Sequence, residues 1–345
     1  MRLITIFWVL LFFLPQKNCF SQENSVKNEF TLMFYNTENF YDSENDSLTN
    51  DDEFTSEGDR RWTSGRMHTK AERLGKVILA AGKWNPPVFV GLCEIENLQV
   101  LELLTGIAPL NKYRYKIIQK DSRDERGIDV AFIYRPDLFK PFDYEAMPVF
   151  DPNDKSFRTR DILRVSGVLN QCDTLHVFVN HWPSRYGGMM ETMKYRRLAA
   201  ETLKKAVQRL KSGFSAAKII CMGDFNDTPT DESIARVFDA KESDNPEIKG
   251  EMINLSSGWL SNPVQTIKSQ YNWEVFDQWI VSDYFLENKG CLKFLKAEIF
   301  DAGFLLEPDS KFGGVKPKRN YVGYKYQEGF SDHLPVLLRF QILNH

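Results

Sequence analysis

Apolar residues recur along this chain in two rhythms. Short runs rich in β-branched residues, each too short for a helix of its own, predict strands at Phe30–Tyr35, Val88–Cys93, Tyr113–Ile118, Ile128–Tyr134, Leu163–Leu169, Leu175–Asn180, Lys218–Met222, Val275–Val281 and Pro335–Phe340. Between them, apolar positions repeat every three or four residues. Leu74, Val77, Ile78 and Ala81 mark a helix over Arg66–Ala81, and Leu198, Leu203, Val207 and Leu210 mark another over Glu191–Leu210. Shorter helices are expected at Leu98–Leu104 and Glu232–Phe238, the second opened by the capping residues Thr228, Thr230 and Asp231. No repeat period, low-complexity tract or long linker divides the pattern, so residues 30–343 read as one α/β domain behind a short lead, residues 22–29.

The first 21 residues follow a different rule. Arg2 is a basic start, Leu3–Leu14 is a 12-residue apolar run, and Cys19-Phe20-Ser21 places small residues for cleavage before Gln22. Twelve apolar residues fall short of the ~20 that a spanning helix needs, so the segment reads as a signal peptide and the protein as exported, to the periplasm or beyond, with no stable membrane insertion. Removing Arg2 and Lys17 leaves 42 basic against 47 acidic residues. A global positive field of the kind non-specific nucleic-acid binders use is therefore excluded, and any attraction for a polyanion must be local. Of the remaining cysteines, Cys93 and Cys221 lie inside apolar strands as small hydrophobes. Together with Cys172 and Cys291 they do not suggest a disulfide framework, and free thiols are the expectation.

Six polar motifs sit where strands end, the places where a buried run hands its side chains to a cleft. They are Asn36-Thr37-Glu38-Asn39, Glu94 in GLCEIEN, Asn180-His181-Trp182-Pro183-Ser184-Arg185, Gly223-Asp224-Phe225-Asn226-Asp227, Phe276-Asp277-Gln278 and Ser331-Asp332-His333. Any one alone reads as a solvated strand end; six together are informative. Asn36, Glu38, Glu94, Asp224, Asn226 and Asp332 are hard oxygen donors, suited to Mg²⁺, Mn²⁺ or Ca²⁺ and not to zinc. Two imidazoles among them suit phosphate contact or proton transfer. A hard cation, an activated water and cationic donors around phosphorus together describe phosphoester hydrolysis.

In this order and spacing, NTEN, CEIEN, RGIDVAFIYR, NHW, GDFND, FDQW and SDHLPV resemble the endonuclease/exonuclease/phosphatase superfamily, over about residues 30–341. The resemblance implies the deoxyribonuclease I-like fold, a four-layer α/β sandwich of two mixed β-sheets flanked by helices. It also implies roles. Asn36, Glu38, Glu94 and Asp332 match metal positions for Mg²⁺ or Mn²⁺, with Asp332 also on the water side. Asp224 matches the residue that activates water, and Asn226 the one that orients it. His333 matches the histidine that stabilises the phosphoryl transition state, and Asp277 the acid behind it. His181 matches a second catalytic histidine that abasic-site nucleases lack, which moves the chain away from base-excision repair.

Two loops flank these motifs. Lys311–Lys325 interleaves Lys316, Lys318 and Arg319 with Phe312, Tyr321 and Tyr324, a pattern that suits tracking phosphates and stacking bases. With Asn180 and Arg185, residues Lys316, Lys318, Arg319 and Tyr321 are the expected substrate contacts. Asp42–Asp59 holds eight acidic residues, and Asp42, Glu44, Asp46 and Glu53 fall at positions 1, 3, 5 and 12 of a calcium loop, although Ser47 replaces the usual glycine. The expected enzyme is an exported endonuclease with nucleic acid as substrate. A phosphatase or phosphodiesterase on inositol phosphate or sphingomyelin is the alternative, and a non-catalytic binding module a more distant one. No protein partner is indicated, and a monomer is expected.

Overall fold

The computed structural model describes residues 29–83, 85–243, 250–287 and 289–343, so the signal-peptide segment lies outside the described residues. Two large sheets dominate. The first joins β1 (Glu29–Phe40), β2 (Phe89–Ile95), β3 (Lys116–Gln119), β4 (Asp129–Tyr134), β14 (Leu292–Ile299) and β19 (Val336–Ile342) in the order β14-β19-β1-β2-β4-β3. The second joins β5 (Phe139–Met147), β6 (Ile162–Leu169), β7 (Asp173–His181), β8 (Lys218–Asp224), β9 (Lys241–Glu242), β10 (Met252–Asn254) and β13 (Asp277–Ser282) in the order β5-β6-β7-β8-β13-β10-β9. Both are mixed: β1–β2 and β7–β8 are parallel pairs within otherwise largely antiparallel sheets.

Period-two alternation decides what each face meets. Leu32 and Phe34 of β1 point into the space between the sheets with Val177, Val179, Ile220 and Met222, while Met33 and Tyr35 point outward. That outer face is covered by α1 (Ser64–Ala81) and α2 (Leu98–Gly106), through Leu74, Val77, Ile78, Leu101 and Leu104. The outer face of the second sheet is covered by α3 (Met189–Gly213), whose Ala199, Ala200, Leu203 and Val207 pack on Phe178, Ile219 and Cys221. The result is the four-layer sandwich. Each fully buried Leu, Val or Phe contributes roughly 1.5–3 kcal/mol to holding it.

Both amphipathic helices form where the periodicity places them. The expected strand at Tyr113–Ile118 begins only at Lys116, since Leu110–Tyr113 is a short 3-10 turn. The segment over Glu232–Phe238 is a π-turn, Ser233–Phe238. β5 and β14 interrupt their apolar residues with Lys, Asp, Glu and Pro and are largely uncovered, so they show no apolar run and the sequence does not predict them. Among the described residues, no helix is long and apolar enough to cross a membrane.

The cysteine expectation is corrected. Cys93 and Cys221 are buried thiols, but Cys172 and Cys291 form a disulfide. They are 119 residues apart in sequence, and the fold brings the turn before β7 to the start of β14.

Candidate active site

β1, β2, β7, β8 and β13 and the segment before β19 all deliver their polar motifs to one end of the sandwich. Register sets the centre: Asp224 pairs with His181 across the parallel β7–β8 ladder and with Asp277 across the antiparallel β8–β13 ladder. Gly223 makes this possible, because a Cβ there would stand 2.3 Å from the Asn180 carbonyl oxygen. Three site residues, Glu38, Glu94 and Asn226, have φ between 51° and 60°, the left-handed region that non-glycine residues rarely adopt. Backbone strain of this kind clusters at functional sites.

Asp224 is buried at the middle of the constellation. Its Oδ1 accepts from the Asn226 amide at 2.9 Å, and its Oδ2 accepts from Asn36 Nδ2 at 3.0 Å. The Nε2 atoms of His181 and His333 lie 3.8 and 3.7 Å from the same Oδ2, too far for direct hydrogen bonds. Behind His333, Asp277 Oδ2 is 2.7 Å from Nδ1 and fixes the ring. Glu94 completes the group: its Oε2 accepts from the Asn39 amide at 2.8 Å, and its Oε1 lies 3.5 Å from Asn36 Nδ2 and 3.9 Å from His181 Nε2.

The electrostatics divide the two histidines. Burial would lower His333, but the Asp277 and Asp224 carboxylates outweigh it and raise the ring well above its ordinary value. His181 is pushed well below, by burial and by the Arg160 and Arg126 guanidinium groups. Burial, with Asp277 adding to it and His333 opposing, raises Asp224 to about 6. One imidazole is thus cationic at neutral pH and the other neutral, around a carboxylate near the threshold of protonation.

The residues present fit a hard divalent cation. Glu94 faces the cleft, and its one ion-pair partner among the described residues is the neutral His181. Asn36 stands beside it, and the Asp224 carboxylate, held by Asn36 Nδ2, lies on the same side. Glu38, grouped with Asn36 from sequence, is elsewhere. The register break between Asn36 and Phe40 turns it away, and its buried carboxylate accepts from the amides of Asn320 and Tyr321 and from Arg319 Nε. Asp332 pairs with Arg319 Nη2 at 2.9 Å, so these two acids share one arginine instead of joining Glu94.

Several of the expected substrate contacts have protein partners. Asn180 is fully buried, donating to the Phe178 and Met222 carbonyls and accepting from Trp182 Nε1. Arg185 is spent on Asp227, Asp231, Glu274 and the Asn226 carbonyl. Tyr321 is buried and donates to the Arg60 carbonyl. Lys316 pairs with Glu307 within the hairpin of β15 (Leu306–Pro308) and β16 (Val315–Pro317). Lys318 is half-buried, and Arg319 keeps a partly exposed guanidinium at the rim. In the loop with the calcium register, Asp42 and Asp46 accept amides of their own loop, and Glu53 pairs with Arg60.

Sequence reasoning missed Arg160, which is buried. Its Nη1 meets Asp124 at 2.9 Å, and its Nη2 donates at 2.6 Å to the Trp182 carbonyl, which Asn226 Nδ2 also reaches at 3.0 Å. It also missed Lys70, whose buried Nζ donates to the Glu38 carbonyl. The signal was available: Lys70 stands four residues before Leu74 on the apolar stripe of α1.

The sequence matches a family model described as Endonuclease/Exonuclease/phosphatase family over residues 31–342. No curated protein matches the chain at a significant level. Among solved structures, TDP2 from D. rerio complexed with single strand DNA product is similar at TM-score 0.53 and 14% identity, covering 91% of this chain and 99% of that one. The human Nocturnin catalytic domain with bound sulfate anion is similar at TM-score 0.51 and 14% identity, covering 91% and 94%. An endonuclease/exonuclease/phosphatase family protein from Bacteroides thetaiotaomicron gives 0.53 and 14%, covering 92% and 99%. At these identities the likeness is one of fold.

Proposed function

The chain belongs to the endonuclease/exonuclease/phosphatase family of phosphodiester hydrolases, and on that premise we propose that it is an exported, divalent-metal-dependent endonuclease acting on DNA or RNA. The observation that carries the chemistry is the meeting of the two imidazole Nε2 atoms with one Asp224 oxygen at 3.7–3.8 Å, Asp277 behind one ring and Glu94 alongside. Asp224, poised near 6, takes a proton from the attacking water, and Asn36 and the Asn226 amide hold its carboxylate in place. His333, cationic through Asp277, donates to a non-bridging phosphoryl oxygen as charge develops there. His181 contributes a neutral donor on the other side. When bound at Asn36 and Glu94, Mg²⁺ or Mn²⁺ supplies Lewis-acid polarisation of the phosphoryl group and stabilises the leaving alkoxide.

Support for a nucleic-acid substrate is local. The loop Lys311–Lys325 lies beside His333 and carries five basic residues interleaved with aromatics. In D. rerio TDP2, similar in fold, the bound molecule is a single strand DNA product. Export rests on the Met1–Ser21 pattern. N-terminal sequencing of the secreted protein should begin at Gln22. A panel of plasmid DNA, RNA, sphingomyelin and inositol phosphates tests the substrate, and nucleic-acid cleavage abolished by EDTA is expected. Asp224→Ala and His333→Ala should each lower that rate by about 100-fold or more with the fold retained. Turnover of only the lipid or inositol substrate would replace the nuclease reading.

A further inference from the structure

Three exposed aromatic rings at the catalytic end stand near cations. Phe150, 57% exposed, stands on the loop that joins β5 to β6, and the Arg123 guanidinium lies 4.6 Å from its ring centroid. Tyr271, 70% exposed, is at the tip of a hairpin formed by β11 (Ile267–Ser269) and β12 (Asn272–Glu274). It packs edge-on against Phe312 at 5.1 Å, and Lys311 Nζ lies 4.9 Å from the Phe312 centroid. Tyr324, 61% exposed, is at the tip of the hairpin of β17 (Tyr321–Val322) and β18 (Lys325–Tyr326), with the Arg60 guanidinium 5.6 Å from its ring.

These rings connect to the catalytic centre. Ile267, at the base of the first hairpin, bridges to His333, and two strand steps to Ser269 carry the turn that holds Tyr271 about 7 Å or more further out. The second hairpin hangs from Glu38, which anchors the Asn320 and Tyr321 amides beside the Arg319–Asp332 pair. The loop of Phe150 leaves the second sheet where β6 pairs with the His181 end of β7. Phe142, Tyr144 and Phe214 are also exposed, but they stand away from this mouth.

We propose that these rings, with the cations beside them, are stacking platforms for unpaired bases, which makes a single strand, not a duplex, the preferred substrate. The inference rests on the nuclease reading. In a duplex the base faces are already stacked on one another, whereas a single strand offers each face to a ring and each phosphate to the neighbouring cation. A lipid surface is the other partner exposed rings can suit, but here the rings stand on three separate loops and not on one amphipathic face.

The test compares a short single-stranded oligonucleotide, the same sequence as duplex, and bis(p-nitrophenyl) phosphate, with the full mature protein and Mg²⁺. Wild type should favour the single strand. Phe150→Ala, Tyr271→Ala and Tyr324→Ala should each raise KM for it by about tenfold, leave cleavage of the small diester unchanged, and be rescued by Tyr271→Phe or Phe150→Trp, which keep a ring. Unchanged small-diester activity shows that the alanine variants fold. Equal kcat/KM on duplex, or alanine variants with unaltered KM, would overturn the inference while leaving the nuclease reading intact. Cleavage of the small diester with none of either oligonucleotide would defeat both. Binding to phosphatidylserine vesicles that the three alanine changes abolish, with no change in oligonucleotide KM, would assign the rings to a membrane surface instead.

Discussion

Arg160 shows how much of this site depends on a side chain that touches none of the reacting groups. Its Nη2 and the Asn226 Nδ2 share the Trp182 carbonyl, so the guanidinium fixes the turn after His181 and the turn after Asp224 against each other. Its Nη1 neutralises the buried Asp124. Arg160→Ala should lower kcat by about 10- to 100-fold, the order expected from misplacing catalytic groups by about 1 Å. KM for a small diester should stay within about threefold, because substrate contacts are left in place. Arg160→Lys, which can pair with Asp124 but cannot also reach Trp182, should restore stability and only part of kcat; steady-state kinetics and denaturation of the two variants check this. Asp224, His333, Asp277, His181 and Glu94 are legible in sequence because each ends, opens or interrupts a recognisable apolar run. Arg160 was not, since FRTRD carries no periodic signal and its partner Trp182 is 22 residues away. Glu38 was misread for a related reason: a backbone turned at φ 54° reverses which cluster a side chain joins, and residue spacing does not reveal it.

Among the elements, the strands buried on both faces announce themselves, and the edge strands β5 and β14 do not, although the edge strand β3 does in part. β1, β2, β7 and β8 are continuous apolar runs, whereas β5 and β14 alternate apolar with charged residues, the pattern that keeps an edge from pairing with another chain. The β6–β7 ladder holds a pair that gives a pH dependence. Ser166 and His176 face each other in register, Ser166 Oγ is 2.8 Å from His176 Nδ1, and Arg164 Nη1 donates to the same Oγ. Burial, with Arg164 adding to it, holds His176 down at about 4. In the unfolded chain the ring titrates near about 6.5, so its contribution is complete above that pH and is lost as pH falls toward about 4. The loss should be about 1–2 kcal/mol once screening by solvent is allowed for. Urea unfolding from pH 7 to pH 4 should show this slope in wild type, and His176→Gln should remove that part of it.

At the scale of the whole molecule, chemistry and covalent restraint occupy opposite ends. Cys172 immediately precedes β7 of one sheet and Cys291 immediately precedes β14 of the other, so the disulfide joins the two layers at the edge where those strands begin. Asp173 reinforces the join, accepting from Lys218 Nζ and from the amides of Cys291 and Leu292. From there β7 runs eight residues to His181, about 26 Å of strand. Closing a 119-residue loop restricts the unfolded chain far more than the folded one, and the bridge should be worth about 3–5 kcal/mol. Cys172→Ser, Cys291→Ser and the double variant should therefore lose that much in denaturant titrations, and wild type should match them under reductant. Because the bridge shares no residue with the catalytic turns, kcat at 25 °C should stay within about twofold in all of them. A kcat that fell in step with stability would mean that the two sheets need this remote join to keep His181 and Asp224, on the second sheet, in register with Asn36, Glu94 and His333, on the first.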